Sequence, residues 1–240
     1  MLIGVAGNGI GCGKTTVART ITKLSNFIEV NSADELKRIL LWLNPFNTYF
    51  DDQVRLIINN LFRTPWSSEL HAVVQDAVVD AIKETMKYSN VSLFRCPEYE
   101  ELFIEKTEYS RVYMQSLAER FRDIQPNIWI DFTIDIVAER NAIIGDVRYK
   151  NEVHRIREKG GIVLYVNRPQ QDQQSQGLAK NDSTGYKGEK DLDDYPFADF
   201  PHEAIILNDS DLSRLQSTSI TTVTCMLETL GVHFIEPEVK

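Results

Sequence analysis

Four glycines, a lysine and two threonines lie close together near the N-terminus. Residues 7–16 read Gly-Asn-Gly-Ile-Gly-Cys-Gly-Lys-Thr-Thr. Glycines permit positive φ values and a close approach of the backbone to a ligand. If a strand passes into a helix here, successive N–H groups and the helix N-terminus point at one anion. Lys14 would then reach the β- and γ-phosphates of ATP, and the Thr15 hydroxyl would bind Mg²⁺.

The spacing of these residues departs from the usual phosphate-loop pattern at one position. Counting back from Lys14, the first glycine of the pattern falls on Asn8, and Gly7 lies one residue too early. Two interpretations stay open: Asn8 adopts a left-handed conformation, which asparagine tolerates, or the loop contains one extra residue. A chance Gly-Lys-Thr in a glycine-rich turn is disfavoured because the segment follows a strand pattern and precedes a helical one.

A second acidic site follows a later apolar run, Ala142–Gly145. Asp146 comes at the carboxyl end of this predicted strand, and Arg148 follows two residues later. A carboxylate there can hold Mg²⁺ directly or through water in phosphoryl transfer. Arg148 could clamp a phosphate with its planar guanidinium. In the alternative interpretation, Asp146 and Arg148 only cap the following helix and pair with each other.

Short apolar runs bounded by Gly, Asn or Asp predict buried parallel strands. The five predicted strands are Leu2–Ala6, Phe27–Val30, Ala142–Gly145, Ile162–Val166 and Ala204–Leu207. Helical patterns separate most of them, at Thr15–Ser25, Ala33–Leu43, two helices within Phe50–Ser89 with Ser67 or Ser68 as a cap, Tyr109–Phe121, Ile128–Glu139, Asn151–Lys159 and Leu212–Leu230. The alternation predicts an α/β, doubly wound, mostly parallel five-stranded sheet flanked by helices. With the glycine-rich loop after the first strand, the expected architecture is that of a P-loop NTPase.

The predicted domain organisation is a single domain over residues 1–240. A mainly helical insertion, residues 31–139, is expected over the carboxyl edge of the sheet, where ligands bind in such folds. Residues 168–202 are polar, with few large apolar side chains, and are predicted to be a lid-like excursion. Whether this excursion is a functional lid or a tolerated surface loop stays open.

Composition restricts the class of protein. The chain is 42% hydrophobic and 25% charged, as in ordinary globular proteins, and has no run of eighteen apolar residues. The N-terminus has no basic segment or cleavage site, and three scattered cysteines fit a reducing compartment, so a cytoplasmic protein is predicted. Four separated histidines argue against a zinc site. The net charge of −9 argues against extended nucleic acid as a partner, although a local basic groove stays compatible with it.

With the loop and the segment from Asp146 to Glu152 in view, the chain resembles the bacteriophage-type deoxynucleoside monophosphate kinases. Shorter matches are Ser32–Lys37, Arg111–Leu117, Asn127–Ile130, Val166–Pro169 and Ile205–Asp209. Ala118 replaces a family glycine, and the family's His-x-Ser/Thr-Glu lid element does not occur between Arg168 and Asn208.

The resemblance implies roles for single residues. Nucleotide-binding residues would be Asn8, Gly9, Gly11, Cys12, Gly13, Lys14, Thr15, Thr16 and, near the donor adenine, Asn208. Acceptor-binding residues would be Asp34, Lys37, Arg111, Gln115, Arg148 and Arg168, the last as a lid cation.

The resemblance therefore predicts transfer of a phosphoryl group from ATP–Mg²⁺ to a deoxynucleoside 5′-monophosphate. Lys14, Arg148 and Arg111 would supply positive charge, while Thr15 and Asp146 would hold the metal ion. One alternative is a kinase that acts on a hydroxyl of a modified base in DNA, with Asp34 as the base. Another is an ATP-binding sensor without transfer. Apolar helix faces in the insertion are compatible with a homodimer.

Overall fold

The computed structural model describes residues 1–9, 11–169, 191–192, 195–197 and 204–229. Most of the predicted lid-like excursion, residues 168–202, lies outside these ranges. The chain divides into two compact units. Met1–Ser32 and Thr133–Lys240 form the sheet unit, and Ala33–Phe132 form the helical unit. The prediction of one domain over 240 residues stays a prediction.

The sheet unit contains a five-stranded sheet in which every described pairing is parallel. The strands are β1 Leu2–Gly7, β2 Ile28–Val30, β3 Ala142–Ile144, β4 Ile162–Asn167 and β5 Ala204–Leu207, in the spatial order β2-β3-β1-β4-β5. The central strand β1 is buried along most of its length because both of its faces are covered. The predicted strands and their parallel arrangement are confirmed, and carboxyl ends meet at one edge.

Helices cover both faces of this sheet. Helix α1 (Lys14–Leu24) and the C-terminal helix (Leu212–Thr229) share an apolar core with Ile3 and Val5 of β1. Successive strand residues point to opposite faces, so Gly4 faces the other side. There the helix Lys150–Glu158 packs so closely that a Cβ on Gly4 would lie 2.7 Å from Ile156 Cδ1. The doubly wound α/β architecture is confirmed.

The remaining helices, numbered in chain order, surround a second apolar core. They are α2 Ser32–Trp42, α3 Phe50–Ile57, α4 Ser68–Tyr88, α5 Glu108–Ile124 and α6 Ile128–Val137, so the two helices above are α7 and α8. In the helical unit, α4 packs against α5 around Val78, Tyr113 and Phe121. The Ser67 hydroxyl accepts a hydrogen bond from the Leu70 N–H at 3.1 Å, which confirms the predicted cap of α4.

Two π-helical turns in the helical unit were not predicted. One, Ile58–Phe62, continues α3 and ends at Arg63, whose φ is +52°. The other, Glu100–Ile104, precedes α5. In the described part of the chain, no helix has the length and apolar character needed to cross a membrane.

Candidate functional site

The glycine-rich loop joins β1 to α1 at the carboxyl edge of the sheet. Gly9, Gly11 and Gly13 have φ values of +110°, +74° and +111°, which side-chain-bearing residues rarely adopt. Asn8 is not among the described residues with positive φ, so the interpretation that it adopts a left-handed conformation is wrong. Gly7 is the last residue of β1 and is paired with Val166, so Asn8 is the first residue after the strand; the interpretation of one extra loop residue stays open.

The Asn8 side chain ties the start of the loop to the end of β4. Its Nδ2 donates to Asn167 Oδ1 at 2.8 Å and to the Arg168 carbonyl at 2.6 Å. Its Oδ1 accepts from the Arg168 N–H at 2.9 Å. The Asn8 N–H also donates to the Val166 carbonyl at 3.2 Å. We call the three side-chain contacts of Asn8 with Asn167 and Arg168 the Asn8 latch.

Three carbonyl groups of the loop accept hydrogen bonds from side chains. Lys14 Nζ donates to the Gly9 carbonyl at 2.9 Å, and Arg168 donates to the Gly11 carbonyl at 3.1 Å. Asn208 Nδ2 donates to the Cys12 carbonyl at 2.8 Å. These donors fix the orientation of the peptide groups, which is what preorganises a backbone anion site. Arg168 and Asn208 thus contact the loop itself; their predicted roles as lid cation and adenine neighbour stay predictions.

The second half of the loop, from Gly11 to Thr16, carries N–H groups that can bind an anion. Among the described residues, the N–H groups of Gly11, Cys12 and Gly13 have no backbone acceptor. The N–H groups in the first turn of a helix also lack intrahelical acceptors, and the first bond of α1 runs from Val17 to Gly13 at 3.0 Å. Donors in this arrangement bind phosphate oxygens.

The Lys14 ammonium group is held in a largely desolvated position. Burial lowers its pKa from the ordinary value, Arg148 lowers it further, and Cys12 and Asp146 raise it. The Cys12 thiol lies 3.5 Å from Lys14 Nζ and is buried, so it packs beneath the loop. Because burial destabilises the charged form, a phosphate bound beside Lys14 would be strongly favoured.

Asp146 and the start of α7 are both held by hydrogen bonds. The Ser32 N–H donates to Asp146 Oδ1 at 2.8 Å. The helix end is capped by Glu152, whose Oε2 accepts from the N–H groups of Arg148 at 2.8 Å and Tyr149 at 3.2 Å. Glu152 thus caps this helix, and whether Asp146 and Arg148 also contribute and pair with each other stays open. The Glu152 cap was not predicted, although a glutamate at the third helical position is a recognisable signal.

The donors near the loop fit Mg²⁺ carried by a nucleotide. Thr15 is exposed in the first turn of α1, and Asp146 is half-buried at the end of β3. Within the described ranges, no group of three or more His, Cys, Asp or Glu side chains is arranged to hold a metal ion. Mg²⁺ in phosphate sites typically takes one or two protein ligands and fills its shell with phosphate oxygens and water. One hydroxyl and one carboxylate therefore suit such an ion.

The predicted acceptor residues Asp34, Lys37, Arg111 and Gln115 all belong to the helical unit. Lys37 Nζ donates to Asp34 Oδ1 at 2.8 Å and lies 5.0 Å from the centre of the Phe103 ring. Arg111 is exposed on α5, and Gln115 lies one turn later on the same helix. Gln115 Oε1 is buried and has no hydrogen-bond partner among the described residues. Phe103 was not predicted, since an aromatic residue in an unrecognised π-helical turn gives no periodic signal.

Comparisons with known proteins give little further information. No protein-family model matches the chain, and no curated protein sequence matches it significantly. Among solved structures, dephospho-CoA kinase from Campylobacter jejuni is similar, with 12% sequence identity, a TM-score of 0.39, and coverage of 94% of this chain and 96% of that chain. Similarity at this level does not establish a shared activity. The resemblance to bacteriophage-type deoxynucleoside monophosphate kinases stays a prediction.

Proposed function

We propose that this chain is an ATP-dependent phosphotransferase that converts a deoxynucleoside 5′-monophosphate to the diphosphate. The observation that carries the proposal is the loop from Asn8 to Thr16. Its glycines have the required positive φ values, its carbonyl groups are engaged by side chains, and its lysine is a desolvated cation. Together these features describe a preorganised site for a phosphate chain.

The donor side of the proposed reaction uses residues of the sheet unit. The loop N–H groups bind the β-phosphate, and Lys14 donates to the β- and γ-phosphates. Thr15 and Asp146 would hold Mg²⁺, which offsets negative charge on the phosphate oxygens when bound. Arg148, whose charge acts on Lys14, adds positive potential on the same side of the sheet.

The acceptor side uses residues of the helical unit. Lys37 and Arg111 supply cations for the 5′-phosphate of the acceptor. A buried carboxamide oxygen without a donor is energetically costly, so an amino group of a base would be a suitable partner for Gln115 Oε1. The acceptor phosphate is already an anionic nucleophile, so the reaction needs alignment and charge compensation more than a strong base.

A substrate panel tests this function. The purified chain is incubated with ATP and Mg²⁺ and, separately, with each deoxynucleoside and ribonucleoside monophosphate and with duplex DNA that contains hydroxyl-bearing bases. We expect equimolar ADP and a deoxynucleoside diphosphate from at least one deoxynucleotide. Phosphorylated DNA without any diphosphate would support the DNA alternative instead. ATP binding without transfer to any acceptor would contradict the enzyme proposal and support the sensor alternative.

A variant pair tests the acceptor residues in the same assay. Arg111→Gln should raise KM for the monophosphate about tenfold and leave KM for ATP nearly unchanged, because one charge-assisted contact is lost. Arg38→Gln is the control, since Arg38 is an exposed arginine on α2 that pairs with Glu35 at 3.1 Å. Equal acceptor KM values for the two variants would exclude Arg111 from the acceptor site.

A further inference from the structure

The Asn8 latch binds Arg168, which follows β4 and is not part of the loop. Asn8 uses both ends of its carboxamide: Nδ2 donates to the Arg168 carbonyl, and Oδ1 accepts from the Arg168 N–H. A third contact joins Nδ2 to Asn167 Oδ1. Glycine, the usual residue at this loop position, could make none of these contacts. The main chain of Arg168 is therefore fixed to the loop by the Asn8 side chain.

Fixing the main chain of Arg168 also fixes where its side chain starts. The Arg168 guanidinium reaches back to the Gly11 carbonyl at 3.1 Å. Arg168 and Lys14 thus both donate to carbonyl groups of the same loop, at Gly11 and Gly9. A second cation beside the loop raises the local positive potential, which favours the charged phosphate chain.

The end of β5 reinforces this arrangement from the other side. The Asn208 N–H donates to the Asn167 carbonyl at 2.8 Å, and the Asn208 side chain donates to the Cys12 carbonyl at 2.8 Å. Asn208 is buried, and a Cβ on Gly13 would lie 2.9 Å from its Nδ2. Asn167 is thereby held between Asn8 and Asn208, so this partner of the Asn8 side chain has a fixed position.

We propose that Asn8 is a positioning residue that acts through Arg168: it holds the Arg168 guanidinium at the phosphate loop, where this cation strengthens ATP binding. The proposal rests on the proposed phosphotransferase function, because it assumes that the loop binds ATP. It assigns to Asn8 a role that differs from the conformational role of a loop glycine. It also means that the Arg168 contribution depends on a residue 160 positions earlier in the chain.

A double-mutant cycle on ATP affinity tests the proposal. The Kd of ATP with Mg²⁺ is measured by titration for the wild type, Asn8→Gly, Arg168→Ala and the double variant. We expect Asn8→Gly to raise Kd about tenfold, although it restores the usual glycine, because the three side-chain hydrogen bonds that preorganise the site are lost. We expect Arg168→Ala to raise Kd to a similar extent. The double variant should be no more than about twofold weaker than Arg168→Ala alone, because both residues act in one unit.

Two further variants sharpen the comparison. Asn8→Asp keeps an acceptor for the Arg168 N–H but places a carboxylate oxygen against the Arg168 carbonyl oxygen. Because these two acceptors repel each other, the Kd of ATP should rise more than in Asn8→Gly. Asn90→Gly is the matched control: Asn90 is exposed, belongs to the helical unit, and has a φ of +50° that glycine accepts. Its Kd for ATP should equal the wild-type value.

The possible outcomes distinguish a failure of the proposed role of Asn8 from a failure of the proposed phosphotransferase function. If the wild type binds ATP and Asn8→Gly binds it with equal or higher affinity, the proposed role of Asn8 is refuted and the proposed function is not. Additive effects of Asn8→Gly and Arg168→Ala would also refute the proposed role of Asn8. Absence of ATP binding by the wild type would refute the proposed function and the latch together. Melting temperatures verify folding; if Asn8→Gly does not fold, Asn8→Gln, which displaces the amide by one methylene, replaces it in the cycle.

Discussion

Glu101 shows how a single residue organises the segment before α5. Arg95 donates to Glu101 through two nitrogens, at 2.5 Å and 2.6 Å, and the Thr107 hydroxyl and the Glu98 N–H donate to the same carboxylate. The pKa of Glu101 is lowered from 4.5 to about 2, mainly because of the hydrogen bonds from Arg95. The carboxylate thus joins both ends of the π-helical turn.

This lowered pKa predicts how stability depends on pH. Between pH 4.5 and about pH 2 the unfolded chain binds a proton at Glu101 that the folded chain does not, so the stabilisation is present above pH 4.5 and is lost as pH falls toward about 2. We expect Glu101→Gln to lower the free energy of unfolding at pH 7 by about 1–2 kcal/mol, after allowing for screening at the exposed Arg95. Urea unfolding of both proteins from pH 7 to pH 2 measures this, and the difference should shrink across that window.

Glu100→Gln is the control for this experiment, because Glu100 is exposed in the same π-helical turn. Its unfolding curve should follow that of the wild type at every pH. A Glu101→Gln difference that stayed constant down to pH 2 would show that the carboxylate charge is not what stabilises this turn.

At the scale of elements, the N-terminus of α7 sets the geometry that follows Asp146. Glu152 is buried, and its carboxylate accepts from the N–H groups of Arg148 and Tyr149. We expect Glu152→Gln to lower the free energy of unfolding by about 1–2 kcal/mol, because a charged cap is replaced by a neutral one at the positive end of the helix dipole. Urea unfolding at pH 7 measures the loss.

Glu158→Gln provides the comparison at the opposite end of α7. Glu158 is exposed and pairs with Arg155 at 2.8 Å. A negative charge at a helix C-terminus is unfavourable, and the loss of an exposed ion pair costs little, so the two effects should cancel to within about 0.5 kcal/mol. If Glu152→Gln proved as mild as Glu158→Gln, the cap would not determine the position of Arg148.

The predicted elements match the structure wherever burial controls the pattern. Strands such as Ala142–Ile144 are buried on both faces, so they appear in the sequence as continuous apolar runs. The π-helical turn Glu100–Ile104 escaped prediction because one extra residue per turn breaks the helical period over only five residues. Local physical chemistry thus predicts regular elements well and short irregular ones poorly.

The residues of the candidate site could be predicted where neighbouring residues in the sequence indicate their role. Lys14 and Thr15 stand out because they end a glycine-rich segment that follows a strand pattern, and Asp146 stands out because it follows another strand pattern. The partners of Asn8 could not be predicted, because they lie 159 and 160 residues away and depend on β4 lying beside β1. The same holds for Asn208, whose contact with Cys12 spans 196 residues. Residue type suggests candidate roles, while tertiary contacts decide which groups each side chain contacts.

At the scale of the whole molecule, the chain is acidic, while cationic side chains contact its glycine-rich loop. The net charge is −9, yet Lys14 and Arg168 both donate to the loop and Arg148 acts electrostatically on Lys14. Local cations in an acidic protein attract a compact anion more than an extended polyanion. This charge distribution is compatible with the proposed nucleotide ligand.

The central claim is that the loop binds the phosphates of ATP through its backbone and Lys14. Its most direct test is titration of ATP with Mg²⁺ into the wild type, Lys14→Met and Lys23→Met, the last being an exposed lysine in the final turn of the same helix. Lys14→Met should weaken binding about 100-fold, as expected for a charged contact, while Lys23→Met should match the wild type. Equal affinity of Lys14→Met and the wild type would contradict the account.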